Sequence, residues 1–158
     1  QENGTSFAEI ASQKALHFAH MSHLPTIAED SGIFVDALPG ELGIYTKRWG
    51  APHTGATDTE WITYFLQRMK DVPPSKRTAR FVCAAAFVVD GTVTVFHGET
   101  KGFITQNLEA PIQKGLPLSS CFVPEGFDVV YATLSAQEKA AVSHRGKALS
   151  ALKSVFLK

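Results

Sequence analysis

The sequence is poor in cysteine and carries no excess of charge. Only two cysteines, Cys83 and Cys121, occur among 158 residues, which is too few for a disulfide framework or a cysteine zinc site. Fifteen basic and fifteen acidic side chains give a formal net charge of zero. No overall positive field therefore recruits nucleic acid, and an anionic ligand must be bound by local groups.

Long hydrophobic runs are also lacking. No stretch approaches the roughly 18 to 20 apolar residues that cross a bilayer. The sequence also shows no charged-then-apolar leader of the kind that directs secretion. These absences argue against a membrane partner and favour a cytoplasmic location. The remaining composition, with 44% apolar and 19% charged residues, is typical of a soluble globular protein, and we expect one domain over residues 1–158.

Capping signals predict where the helices begin. Ser/Thr-x-x-Glu capping boxes start at Ser6, Thr57 and Ser135, and each precedes apolar residues at helical spacing. A final helix is expected after Ser143. The residues predicted to face the core are Phe7, Ile10, Ala11, Leu16, Phe18 and Met21 in the first helix, and Leu149, Leu152, Val155 and Phe156 in the last.

The strand signals indicate a long hairpin. Two β-rich runs, 78 to 89 and 92 to 105, are joined by Asp90-Gly91, a pair typical of a two-residue hairpin turn. Shorter strands are expected at Thr26-Ile27-Ala28 and near Phe122-Val123. Because helices and strands are interspersed along the chain, the sequence predicts an α/β fold with a strongly twisted hairpin.

An acidic segment, Glu29-Asp30-Ser31-Gly32, follows the predicted strand at Thr26. A carboxylate at a strand end can bind Mg²⁺ or polarise a water molecule. The glycine would allow a backbone N–H to approach an anion closely. An ordinary acidic turn explains the same four residues, so the segment alone leaves both interpretations open.

A basic cluster lies near the end of the chain. Lys139, His144 and Arg145 fall between two predicted helices, and Ser143 would cap the second of them. Such a cluster suits a phosphate or the edge of a purine, although a solvated helix junction is an equally simple explanation. Lys14, on the first helix, has no local pattern that separates it from a solvent-exposed lysine.

Several segments match one known family, in the same order along the chain. They include Lys14-Ala15, Leu24-Pro25-Thr26-Ile27-Ala28-Glu29-Asp30-Ser31-Gly32, Gly43-Ile44-Tyr45, Phe122-Val123-Pro124 and Glu138-Lys139-Ala140-Ala141-Val142-Ser143-His144-Arg145-Gly146. Through these matches the whole chain resembles the inosine-triphosphate pyrophosphatase family, the Ham1-like enzymes. The Asp-Ser-Gly and Ser-His-Arg-Gly blocks are the most specific of them.

The resemblance implies a central, strongly twisted mixed β-sheet flanked by helices, usually in a homodimer. It implies hydrolysis of deaminated purine nucleoside triphosphates such as ITP, dITP and XTP to the monophosphate and pyrophosphate, with Mg²⁺ as cofactor or Mn²⁺ in its place. Asp30 matches the position of the general base at the metal, and Glu2 matches a second acidic residue of the metal site. The substrate-binding positions carried over are Lys14, Ser31, Gly32, Lys139, His144 and Arg145.

Two features depart from the family pattern. The family's Thr-x-Asn-x-x-Lys segment has no match here, so its first strand and phosphate loop are expected to be absent. The base-reading Gly-Phe-Gly-Tyr/Trp-Asp-Pro motif aligns with residues 115–120, where only Gly115 is kept. Stacking on an aromatic contributes about 1–3 kcal/mol per base. Two alternatives therefore stay open, a pyrophosphatase with altered or relaxed base specificity and a catalytically impaired nucleotide-binding or interaction relative.

Overall fold

The computed structural model describes residues 4–49 and 56–156, which form an antiparallel sheet with helices packed on both faces. The strands are β1 (Thr26–Val35), β2 (Thr78–Val89), β3 (Thr92–Ile104) and β4 (Phe122–Pro124), and the helices are α1 (Phe7–Ser22), α2 (Asp58–Met69), α3 (Ala136–Val142) and α4 (His144–Phe156). The strand order is β1-β2-β3-β4. The predicted α/β class is confirmed, and all pairings within the described ranges are antiparallel. None of the helices in these ranges has the length and apolar character needed to cross a membrane.

The helices begin where the capping signals predicted. The Ser6 hydroxyl accepts a hydrogen bond from the backbone N–H of Glu9 and so caps α1. Thr57 and Ser135 begin α2 and α3 with complete capping boxes. In α1 the second half of the box differs from the prediction, because the Glu9 carboxylate accepts from the backbone N–H of Thr5.

The predicted hairpin forms with a two-residue turn. Asp90 and Gly91 have φ values of 49° and 75°, and this left-handed pair matches the right-handed twist of the strands on either side. Thr92 pairs with Val89, and the ladder continues without interruption to the pair of Thr78 with Phe103. The turn therefore fixes the register of the two longest strands.

The acidic segment lies inside a strand, and the prediction that the strand stops at Ala28 was wrong. β1 pairs with β2 continuously from Thr26, opposite Val88, to Val35, opposite Ala79. In the described ranges β1 is one of the two edge strands of the sheet. Polar side chains are tolerated there because an edge strand is only partly covered.

The two faces of the sheet are covered by α1 and α4. The side chains buried between α1 and the sheet include Phe7, Ala11, Ala15, Ala84, Ala86 and Val88, and those beneath α4 include Cys83, Ala85, Ala148 and Leu152. Small residues every fourth position bring α1 close to the sheet, so larger side chains off this stripe remain outside. The predicted core positions Leu16, Phe18 and Met21 are accordingly exposed, as are Leu149 and Val155. The Phe156 side chain lies outside the described part of the chain.

A buried arginine joins the end of α2 to the end of the hairpin. The Arg77 side chain is only 2% exposed. Its guanidinium donates hydrogen bonds to the backbone carbonyls of Ile104, Met69, Val72 and Thr105 at 2.6–3.2 Å. Burial lowers the Arg77 pKa, and the four carbonyl dipoles take the place of solvent around the charge.

Candidate active site

Asp30 lies on the face of the sheet that α1 covers. It is paired with Ala84, which is buried against Phe7 and Ala11 of α1, and directly paired residues share a face. Lys14 of α1 donates from Nζ to Asp30 Oδ1 at 2.8 Å. The two side chains are 28% and 16% exposed, so the ion pair is accessible from solvent. The structure thus joins two residues that the sequence placed 16 positions apart.

Gly32 follows on the same face and is tightly enclosed. A Cβ atom there would overlap the carbonyl oxygen of Gly43 and lie 2.7 Å from Thr46 Oγ1. The Thr46 hydroxyl also accepts a hydrogen bond at 3.1 Å from the backbone N–H of Ile33, on the outer edge of β1. Close packing therefore explains why a glycine occupies position 32. The contact of Gly32 with the nucleotide stays a prediction.

Glu29 and Ser31, the neighbours of Asp30, point to the opposite face. Ser31 is paired with Cys83, which is buried beneath α4. Arg145, in the first turn of α4, donates from Nη2 to Ser31 Oγ at 2.9 Å, and its Nε lies 3.2 Å from Glu29 Oε1. The alternation of β1 thus separates a lysine–aspartate pair on one face from an arginine-centred group on the other.

His144 is packed as a neutral ring. Its imidazole stacks on Phe81 with 5.1 Å between centroids and 20° between planes, and Phe122 contacts the same phenyl ring edge-on. Burial, with a smaller contribution from the positive charge of Arg145, lowers the His144 pKa to about 4. At neutral pH the ring therefore offers one donor and one acceptor.

The start of α4 is held firmly against β3. A Cβ atom on Gly98 would overlap the carbonyl oxygen of His144, so the helix backbone rests directly on the strand. Thr100 Oγ1 donates to the carbonyl of Val142 just before the helix. Ser143 caps α4 as predicted, accepting a backbone hydrogen bond at 3.1 Å. These contacts fix the backbone from which the two site residues of α4 project.

Lys139 is not brought to β1 by the contacts described. Its Nζ donates to the carbonyl of Ala132 at 2.9 Å and lies 5.8 Å from the centre of the Tyr131 ring. Both partners belong to the segment that precedes α3. The predicted nucleotide contact of Lys139 stays a prediction.

The 115–120 segment, which aligns with the base-reading motif, largely belongs to the protein interior. Leu118, Ser119 and Ser120 are buried, whereas Leu116 is exposed. The hydroxyls of Ser119 and Ser120 donate to backbone carbonyls at 2.6 and 2.7 Å. The serine that replaces the family's carboxylate thus has its hydrogen bond within the protein.

The sequence did not predict a role in the site for two residues, Glu29 and Phe81. Glu29 contacts Arg145, and Phe81 supports the His144 ring. The period-two alternation of a strand through residue 31 would have placed Glu29 beside Ser31. Nothing in the sequence alone pairs Phe81 with His144, because that contact depends on where α4 packs.

The metal proposal rests on few described residues. Glu2 lies outside the part of the chain that the structure describes. Within residues 4–49 and 56–156, no three His, Cys, Asp or Glu side chains form a group able to hold a metal ion. Asp30 is the remaining residue of the predicted metal pair.

Comparison with known sequences identifies relatives over almost the whole chain. A sequence model of the Ham1 family matches residues 1–155. The dITP/XTP pyrophosphatase of Salmonella typhimurium is 39% identical over 155 residues, covering 96% of this chain and 77% of that protein. The dITP/XTP pyrophosphatase of Nocardia farcinica is 42% identical over 149 residues, covering 94% and 70%.

Solved structures have the same fold. A HAM1 protein from Coxiella burnetii superimposes with a TM-score of 0.87 at 32% identity, covering 99% of this chain and 79% of the other. A nucleoside-triphosphatase, or dITP/XTP pyrophosphatase, from Mycobacterium abscessus gives 0.74 at 37% identity, covering 96% and 76%. The resemblance drawn from the motifs is confirmed: the chain belongs to the Ham1 family.

Proposed function

We propose that this protein is a Mg²⁺-dependent pyrophosphatase that hydrolyses deaminated purine nucleoside triphosphates, dITP, ITP and XTP, to the monophosphate and pyrophosphate. The observation that carries the proposal is that neighbouring residues of β1 contact two different helices. Asp30 pairs with Lys14 of α1, and Ser31 accepts a hydrogen bond from Arg145 of α4. Relatives of about 40% identity that bear the name dITP/XTP pyrophosphatase support the choice of substrate. We further propose that it acts in the cytoplasm as a homodimer.

The Lys14–Asp30 pair suits attack of water on a phosphorus atom. Such reactions need little covalent participation by the protein, so positioning and charge stabilisation account for most of the rate. The Asp30 carboxylate would orient the attacking water and accept its proton. The Lys14 ammonium, 2.8 Å away, would stabilise negative charge on the polyphosphate.

The Asp30 carboxylate fits Mg²⁺. That ion takes oxygen ligands and is typically bound by one or two carboxylates together with substrate phosphates and water. Asp30 would hold it, with Glu2 as the second carboxylate proposed from the sequence. When bound, the ion supplies neutralisation of the polyphosphate charge. A single half-buried carboxylate accords with binding that is completed by the substrate.

The opposite face of β1 suits a 6-keto purine. Arginine carries only donors, so Arg145 matches the O6 acceptor that hypoxanthine and xanthine share with guanine, and mismatches the 6-amino group of adenine. The neutral His144 ring adds one donor and one acceptor. A site that pairs hydrogen bonds with a substrate group rejects analogues that leave them unpaired.

The test is pyrophosphate release with Mg²⁺ from dITP, ITP, XTP, dATP, dGTP and dUTP. We expect dITP, ITP and XTP to be hydrolysed in preference to dATP and dUTP, and a loss of about 10²-fold or more in Asp30→Asn. Asp36→Asn is the matched control, because Asp36 is exposed at the end of β1 and accepts a hydrogen bond from Thr78. Equal turnover of all six substrates would support the relaxed-specificity alternative, and no turnover of any would exclude an active pyrophosphatase.

A further inference from the structure

We propose that Glu29 is a positioning residue that sets base selectivity by holding the Arg145 guanidinium, an inference that rests on the proposed function. Glu29 and Ser31 project from the same face of β1, two residues apart. Arg145 reaches both, with its Nε 3.2 Å from Glu29 Oε1 and its Nη2 2.9 Å from Ser31 Oγ. The guanidinium is therefore held at two points along the strand.

The two contacts leave most of the guanidinium available. Arginine has five N–H donors in one plane, and the Nε side and one Nη2 donor are directed to the strand. The donors that remain lie in the plane that Glu29 and Ser31 fix. Because the Arg145 side chain is 48% exposed, a ligand can reach it without displacing the protein around it.

Glu29 also has a contact with the interior of the protein. Its Oε2 accepts a hydrogen bond at 3.5 Å from the Cys83 thiol, which is fully buried beneath α4. Burial and the nearby Glu29 carboxylate raise the Cys83 pKa to about 12, so the thiol stays protonated and can donate. The chain of contacts runs from the sheet interior through Glu29 to Arg145.

Pre-organisation is the physical reason that such a carboxylate affects selectivity. A free arginine side chain loses conformational entropy when a ligand immobilises it. Glu29 imposes that order before binding, and only a base that accepts from the fixed donors gains from it. Glu29 would not bind the anionic substrate directly, since its charge repels phosphate. Its effect therefore passes through Arg145.

The experiment measures kcat and KM for dITP and dATP in wild type, Glu29→Ala, Glu29→Gln, Arg145→Ala and the double variant Glu29→Ala/Arg145→Ala. We expect Glu29→Ala to raise KM for dITP and lower the dITP-to-dATP ratio of kcat/KM by about tenfold, with kcat changed less than threefold. Glu29→Gln, which keeps an acceptor oxygen, should recover part of the ratio. In the Arg145→Ala background, removal of Glu29 should change nothing further.

The control is Glu41→Ala, which removes a comparably exposed carboxylate from its ion pair with Arg68 at 2.7 Å. It should leave the ratio unchanged. The proposal is overturned if folded Glu29→Ala keeps the wild-type ratio, or if Glu29→Ala lowers it equally without Arg145. These results leave the proposed function intact. Failure of wild type to hydrolyse dITP would instead overturn both.

Discussion

Asp30 and Ser31 are adjacent in sequence, yet their side chains point to opposite faces of the sheet, toward Lys14 and Arg145. The pair with Lys14 carries the groups suited to hydrolysis, and the contact with Arg145 carries those suited to the base. The two functions therefore depend on different helices, α1 and α4. Substitutions on the two faces should consequently have different kinetic signatures.

Lys14→Met tests the α1 face. Removing the ammonium beside Asp30 should lower kcat for dITP by about 10²-fold, because stabilisation of the developing phosphate charge is lost while the base contacts remain. The dITP-to-dATP ratio should not change. Steady-state pyrophosphate release with both substrates provides the measurement.

Lys101→Met is the matched control for Lys14→Met. Lys101 pairs with Arg80, which pairs with Phe34 of β1, so it lies on the same face of the sheet as Asp30. Its side chain is 64% exposed and its ion pair with Glu99 is 3.8 Å long. A Lys101→Met enzyme as slow as Lys14→Met would show that any lost positive charge on this face impairs turnover.

His144 should make stability depend on pH in a defined window. Its folded pKa is about 4 and an unfolded histidine has a pKa of about 6.5. Both states are neutral above pH 6.5, and between 6.5 and 4 only the unfolded chain gains the proton. The stability that depends on a neutral His144 is thus fully present above pH 6.5 and is lost as pH falls toward 4. The loss is on the order of 3 kcal/mol.

Urea unfolding of wild type and His144→Gln at pH 7, 6, 5 and 4.5 measures this effect. The difference in unfolding free energy between the two proteins should shrink as the pH falls, because glutamine does not titrate. Other histidines contribute equally to both proteins. A difference that stays constant across these pH values would contradict a buried neutral imidazole.

Gly98→Ala should loosen α4 from the sheet. The new methyl group would overlap backbone atoms of His144 and Ala148, which cannot rotate away, so we expect a loss of about 3 kcal/mol in unfolding free energy. Gly146→Ala is the control in the same helix, since its nearest neighbour would be 3.3 Å away and alanine favours helix. It should change stability by less than about 1 kcal/mol, and an equal loss in both variants would refute the close contact at Gly98.

Arg77→Met should destabilise the fold without touching the site. Four backbone carbonyls would lose the hydrogen bond from this guanidinium, although that of Met69 keeps the backbone N–H of Val72, and unsatisfied buried polar groups cost about 1–3 kcal/mol each before relaxation. We expect a loss of at least about 3 kcal/mol in chemical unfolding. Arg80→Met removes a guanidinium that is 46% exposed and should cost less than about 1 kcal/mol. Equal losses would assign the Arg77 effect to charge alone.

Local signals in the sequence determined much of this fold, and packing determined the rest. Ser6, Thr57 and Ser135 begin helices because capping is settled within one turn, and Asp90-Gly91 turns the hairpin for the same reason. The continuation of β1 through Glu29 could not be predicted in this way. A Ser-Gly pair after two acids has the composition of a turn, and only pairing with β2 makes it a strand.

The site residues likewise divide into those that the sequence predicted and those that depend on packing. Family motifs identified Asp30, Lys14 and Arg145, and the structure gives these residues contacts along β1. The neutral state of His144 depends on burial against Phe81, a contact between segments that are distant in the chain. Partners of this kind require the packed structure.

The uninterrupted ladder between β1 and β2 makes the site sensitive to the register of β1. A strand has a period of two, so a slip of a single residue exchanges its faces. Such a slip would turn Asp30 toward α4 and Ser31 toward α1, with every residue of the site still present. A register shift of one residue along β1 would therefore inactivate the protein as completely as removing the carboxylate.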